Sequence, residues 1–374
     1  MYAVIYTIGM VGLWVANLFN GTGLGSTYKT TEITMVVMVV LAVLCLATQS
    51  LKDGDLYVKP KYFYTLLPLV LVFFGLGLLR NTFSKAVDCL WEFLIVYVLS
   101  KTRPNHVAVR MTAICYAVLG LVILLLFNYT DFFKGWNTNT IGMIGLFSFL
   151  IFTIPFFGMR EWRSFIMMPL IGVAYVVLIL PTGSRSCIFV VFVQLLLTLR
   201  IIPSRKLIES AKGLTMVLLI PLFVAVAVVL FAAFGDVSGL TEWSYETFNK
   251  PLFNGRDMIW LEGFKLLKGS LLIGPGKYNT GYWHNSAMTC LAAAGVVGYY
   301  FWLRLQYLII GESRTYLDDI CVMGSVIAYL VLAAQQAVEL GLFAVNASFL
   351  PYVILGILLG RINCIKQEQR YAQR

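Results

Sequence analysis

Residues 213–235 read GLTMVLLIPLFVAVAVVLFAAFG, a run without a single charge. Such a run suits a helix that crosses the hydrocarbon core, which takes about 20 apolar residues. A surface helix of a soluble protein would keep one polar face, and this one has none. The same texture recurs in both directions along the chain. Apolar runs lie near 2–18, 33–49, 62–79, 86–100, 107–127, 141–158, 164–181, 186–202, 285–310, 319–337 and 347–360. The 374 residues are 60% hydrophobic and 12% charged, with a mean hydropathy of +0.84; a soluble domain carries about 25% charged residues. The expected fold class is therefore an all-α polytopic membrane protein, with about 12 transmembrane helices in a single transmembrane domain over residues 1–374. Run 2–18 has no basic stretch before it and no clean small-x-small cleavage site after it, so it reads as a span that also targets the protein to the membrane.

Lysine and arginine placement sets the orientation. With twelve spans and both termini in the cytoplasm, the inner loops and C-terminal tail hold 18 of the 28 Lys and Arg residues. The short outer loops hold only Lys29, Arg80, Lys85, Lys134 and Arg185. The net charge of +10 is then the positive-inside signature, with contact to anionic lipid, and implies no nucleic-acid partner. Of the seven cysteines, Cys45, Cys89, Cys115, Cys187, Cys290 and Cys321 fall in apolar runs and Cys364 in the inner tail. No pair has ligand spacing, so neither structural disulfides nor a cysteine metal site is expected.

One connection is much longer than the rest. Residues 236–283 form a large extracytoplasmic loop, and connections of that length usually carry function. Its first half is aromatic and polar, with Trp243, Tyr245, Phe248 and Phe253. From Arg256 to Leu272, apolar Ile259, Trp260, Phe264, Leu267 and Leu271 recur at helical spacing. An amphipathic helix is expected there, lying on the outer membrane surface or on the bundle. Gly274-Pro275-Gly276 ends it.

Three short stretches converge on the outer face. They are Thr182-Gly183-Ser184-Arg185-Ser186 between two spans, Asn254-Gly255-Arg256 before the amphipathic helix, and His284-Asn285 opening the tenth span. His284 is one of only two histidines. A guanidinium at the membrane edge is costly unless it meets protein, water or an anion, and its planar fork suits phosphate oxygens. Two arginines and a histidine over a bundle would suit a lipid-borne diphosphate, with histidine as the proton acceptor near neutral pH. Each also has a structural reading. Arg185 can reach to headgroups, Arg256 can pair with Glu242 or Glu246, and an interfacial histidine can simply be packed.

Taken in order, Gly-Ser-Arg-Ser at a span start, Asn-Gly-Arg-x-x-x-Trp, Gly-x-Gly and His-Asn opening a span resemble the O-antigen ligase/polymerase superfamily of membrane glycosyltransferases, best over about residues 180–300. The resemblance implies a GT-C-like enzyme at the outer face of the bacterial inner membrane that uses undecaprenyl-diphosphate-linked glycans. It implies that Arg185 and Arg256 bind the donor diphosphate and that His284 activates the acceptor hydroxyl, with inversion at the anomeric carbon and no metal or other cofactor. Its implied partners are lipid-linked glycans as donor and acceptor, membrane lipids, a chain-length regulator and a flippase.

Accessory candidates are Arg80, Ser184, Asn285, Lys277 with Tyr278, and Glu339 with Gln335 and Gln336 as binders of sugar hydroxyls. Asp88 and Glu92, one turn apart on a span, either act or pair with Arg80 or Lys85. Asp53-Gly54-Asp55 looks like a nucleotide-sugar motif but falls in an inner turn among lysines. Polymerisation of repeat units is the leading expectation and ligation to lipid A-core its rival, because both use the same donor side. A transporter or flippase would also have about twelve spans, but the chain shows no internal repeat and its chemistry-bearing residues gather on one face.

Overall fold

The computed structural model describes residues 1–20, 60–134, 136–158, 162–236, 238–248, 251–253, 255–276, 283–339 and 350–373. Among these residues the regular elements are all helical. In chain order they are α1 (Tyr2–Asn20), α2 (Pro60–Leu79), α3 (Phe83–Lys101), α4 (His106–Tyr129) and α5 (Thr138–Thr153). Then come α6 (Trp162–Ile179), α7 (Arg185–Thr198), α8 (Arg205–Glu209) and α9 (Ala211–Phe234). The long loop holds α10 (Ser238–Phe248) and α11 (Arg256–Leu267). The chain closes with α12 (Ser286–Gly311), α13 (Ile320–Gln335) and α14 (Leu350–Ala372).

A helix stands at each expected span except 33–49, which lies outside the described residues, as do Lys277, Tyr278 and Asp53-Gly54-Asp55. Five helices are long and apolar enough to cross a membrane: α2, α4, α9, and α5 and α12 with their 3-10 extensions. Helices α1, α6, α7 and α13 are apolar but shorter. Inside a bilayer every backbone group must be satisfied within the chain, which favours helices throughout. Polar caps start several of them, with Asn105 accepting from Ala108 N at 2.9 Å and Asp319 from Val322 N at 3.0 Å.

Helices α5 and α13 form the centre, buried along almost their whole length. Helix α4 packs on α5 and α1, α3 on α14, α2 on α12, and α9 against α12 and α13. Polar side chains tie neighbours together, as expected where helix association gains little from the hydrophobic effect. Trp14 Nε1 donates to Ser148 Oγ at 2.8 Å, Tyr116 Oη to Met10 O at 2.7 Å, and Tyr175 Oη to Ala117 O at 2.9 Å.

The two ends of the bundle differ. One gathers ion pairs such as Arg361–Asp319 at 2.9 Å, Lys366–Glu312 at 3.2 Å and Arg205–Asp318 at 2.7 Å. At the other, the start of α7, the start of α12 and the end of α13 meet under the long loop.

The loop departs from its sequence pattern in two ways. It contains a second helix, α10, that apolar periodicity does not mark, because Trp243 and Tyr245 are half-exposed while Ser244 is buried. Helix α11 stops at Leu267 rather than continuing to Leu272. Beyond it the chain turns into a break in α12. Gly295 adopts φ 66°, ψ −166°, and the N–H groups of Val296 and Val297 donate to the carbonyls of Leu271 and Leu272 at 3.0 and 3.1 Å. A membrane helix tolerates such a break only where other protein groups satisfy the freed backbone. At its other end, Trp260 donates through Nε1 to the carbonyl of Trp283. With Trp260, Gly263 and Leu267 buried, α11 is seated on the bundle.

Candidate functional site

Each motif residue stands at the beginning of a helix. Arg185 is the first residue of α7, Arg256 the first of α11, and His284 and Asn285 immediately precede α12. The sequence enforces these starts. Gly183 takes a left-handed turn at φ 70° after the Leu180–Thr182 3-10 turn, and Gly255 does the same at φ 77°. Neither Ser184 nor Gly255 caps its helix with a side-chain hydrogen bond. Asn285 does, accepting from Met288 N at 3.0 Å.

A helix start carries a partial positive charge, so a cation there is electrostatically unfavourable and an anion favourable. Two arginines placed at such starts are a local cost that calls for a compensating negative group. Glu339, just beyond α13, supplies one. Its Oε1 accepts from Arg256 Nη2 at 3.3 Å and its Oε2 lies 3.5 Å from His284 Nδ1. The carboxylate is 11% exposed, the guanidinium 20% and the imidazole 35%. Burial pulls the Arg256 guanidinium below its ordinary pKa; Glu339 pushes back, and the charge of Arg185 adds to the lowering. Arg185 is thus near enough to act on Arg256. Arg256 Nε and Arg80 Nη1 are buried without a hydrogen-bond partner among the described residues.

Below these charges lies a fully buried polar floor. Asn285 Nδ2 donates to the carbonyls of Pro221 at 2.8 Å and Ala337 at 2.9 Å, tying α9, α12 and α13 at one point. Ser286 donates through N and Oγ to Gln336 O and Oε1, at 3.1 and 2.9 Å. Gln336 Nε2 donates to Gln335 Oε1 at 2.7 Å, and Gln335 Nε2 reaches Ser186 Oγ at 3.4 Å. This network holds the starts of α7 and α12 against the end of α13. His284 itself sits at φ 46°, a left-handed conformation that a non-glycine residue keeps only where its surroundings enforce it. Its neighbours do so: Trp283 is pinned by Trp260, and Asn285 by three bonds.

Arg185, Arg256, His284 and Glu339 therefore come together, with Asn285 beneath them as a positioning residue. Ser184 is buried with its hydroxyl 3.4 Å from Asn139 Oδ1, on the packing side of the α7 turn. Arg80 lies against Gly276, so close that a side chain there would collide with the guanidinium. Arg256 pairs with Glu339 and not with Glu242 or Glu246, the acids that precede it in the loop. Gln335 and Gln336 serve the floor, and Glu92 is buried beside Tyr352 rather than facing Arg80. The role of Glu339 as a bridge is the functional feature that sequence reading missed; its one signal was a lone acid at the end of an apolar span.

The described residues hold one cluster with metal-ligand chemistry, His106, Asp319 and Cys321, at the other end of α13. Arg361 fills it, donating to Asp319 Oδ2 at 2.9 Å and lying 2.8 Å from His106 Nε2. In comparisons with known proteins, no family model matches the chain and no characterised protein gives a significant sequence match.

Proposed function

We propose that this chain is an inverting membrane glycosyltransferase that polymerises undecaprenyl-diphosphate-linked oligosaccharide repeat units into surface polysaccharide. In this reading it is a GT-C-like bundle of about twelve spans in the bacterial inner membrane. Both termini face the cytoplasm and the site opens outward. The observation that carries the reading is the convergence of three helix starts bearing Arg185, Arg256 and His284, joined by Glu339.

The chemistry follows from the geometry. Arg256 Nε, buried without an acceptor, and the positive helix starts favour a dianionic group above the floor. A diphosphate arriving there competes with Glu339 for Arg256 and draws on Arg185. Glu339 beside Nδ1 favours the tautomer with its proton on Nδ1, leaving Nε2 of His284 as base. The acceptor hydroxyl oxygen bonds to the anomeric carbon as that carbon's bond to the diphosphate oxygen breaks. The hydroxyl proton passes to Nε2 and the electron pair leaves with the lipid diphosphate, whose charge the arginines hold. Attack opposite the leaving group inverts the configuration.

The test is reconstitution with a lipid-diphosphate oligosaccharide, with and without lipid A-core. A product ladder without core is the expected result. A single transfer that requires core would make the chain a ligase, and no transfer in either arm would overturn the glycosyltransferase reading. His284→Ala should abolish elongation at normal protein level. A well-folded His284→Ala protein that still elongates would remove the histidine from the chemistry.

A further inference from the structure

A second cavity lies at the basic end of the bundle, far from His284. There α2, α3, α12 and α14 enclose a chamber of about 480 Å3. Its lining changes character along the helix axes. On α3, Phe93 and Val96 are buried, while Lys101, and Arg103 just beyond the helix, are half-buried. On α14, Leu359 and Ile362 give way within about three turns to Lys366 and Arg370. Among the described residues the lining thus holds four cations against one carboxylate, Glu312. That carboxylate is already neutralised by Lys61 and by Lys366 at 3.2 Å.

We infer that this chamber binds an anionic glycerophospholipid, with acyl chain in the apolar depth and phosphate at the basic mouth. The gradient from apolar to basic along the helices matches a molecule with the same gradient. A free phosphate or nucleotide would leave the apolar depth unfilled. Leu94, half-exposed on the flank, marks a side open to lipid rather than to water. The mouth cations are held ready. Lys101 stacks 5.1 Å over the Tyr97 ring, and Arg103 Nη1 donates to Gln367 Oε1 at 3.2 Å. The chamber lies at the far end of α12 from His284, so its occupant is distinct from any substrate of the outer site.

Native mass spectrometry of the full-length protein tests this. The delipidated protein is offered equal palmitoyl-oleoyl phosphatidylglycerol and phosphatidylcholine. Phosphatidylglycerol should be retained preferentially. Arg103→Gln with Arg370→Gln should lower its retention roughly ten-fold and leave phosphatidylcholine unchanged. Arg370 is exposed, so Arg370→Gln alone folds and gives a partial loss even if the double variant does not. Arg205→Gln, a basic residue of α8 outside the chamber, should have no effect. Equal retention of the two lipids by the wild type, or unchanged retention in the Arg103 and Arg370 variants, would overturn the inference. So would displacement of the lipid by glycerol 3-phosphate alone.

Discussion

Replacing Glu339 by glutamine should strengthen diphosphate binding while slowing turnover. The wild-type carboxylate holds Arg256 at 3.3 Å and faces His284 at 3.5 Å. At an effective dielectric near 20, unit charges at that separation attract by about 5 kcal/mol, and lost hydration of both groups offsets most of it. For partners only 20% and 11% exposed, the net coupling is about 2 kcal/mol. On the proposed function, a diphosphate must break this coupling to engage Arg256. Removing the charge should therefore tighten binding of undecaprenyl diphosphate roughly thirty-fold. The same change leaves His284 without the anion that orients it, so elongation should fall roughly a hundred-fold. Binding is read by titration calorimetry in detergent, and turnover by gel analysis of product ladders. Equal weakening of both would refute the reasoning, since it would make Glu339 a structural residue. Unchanged binding with lost turnover would show that Glu339 and the diphosphate do not compete.

Other outcomes follow from the frame of the site. Asn285→Ala should lower stability by about 3 kcal/mol, because the cap is lost and two buried carbonyls each lose a donor. Asn285→Asp keeps the cap but sets a buried carboxylate oxygen against the Pro221 and Ala337 carbonyls, so its unfolding midpoint should fall at or below that of alanine; a wild-type midpoint for either would count against the floor. Gly295→Ala should cost about 3 kcal/mol or more, since a Cβ at φ 66° would stand 2.3 Å from Leu272 O. The check is hydrogen exchange, which should rise over residues 268–276. For Asp319, burial raises the carboxyl pKa, but hydrogen bonds from His106, Arg361 and Val322 N bring it down to about 2, from 3.8. Because the folded value is the lower one, this group stabilises the protein above about pH 4. That stability, about 2 kcal/mol, is lost as pH falls from about 4 to about 2. The unfolding midpoints of wild type and Asp319→Asn should therefore converge on acidification, and parallel loss in both would refute the assignment.

The helices were legible because apolar runs of spanning length leave the backbone few alternatives, and eleven of the twelve expected spans coincide with described helices. Helix α10 was not legible, because a surface helix with mixed polarity carries no stripe. The end of α11 was hidden for a different reason. Its apolar pattern runs on to Leu271, but the carbonyls of Leu271 and Leu272 are claimed by α12 through a break that only the distant Gly295 permits. At the site, Arg185 and His284 stand out in the sequence as polar groups at the edges of apolar runs, and Arg256 as the residue that opens the amphipathic stretch. Glu339 lies 83 residues from Arg256, and nothing local distinguishes it from a rim acid. Its pairing depends on α13 ending level with the starts of α7 and α12, which no sequence period encodes.

The two attachments of α11, Trp260 to Trp283 at one end and Leu271–Leu272 to Val296–Val297 at the other, close a cross-braced loop around the first half of α12. Arg256 and His284 are consequently carried by one braced unit, with Glu339 between them. Arg185 rides on α7, outside the brace. The spacing of Arg256 and His284 is thus set within that brace, whereas the spacing of Arg185 from both is set by the polar floor that joins α7, α12 and α13.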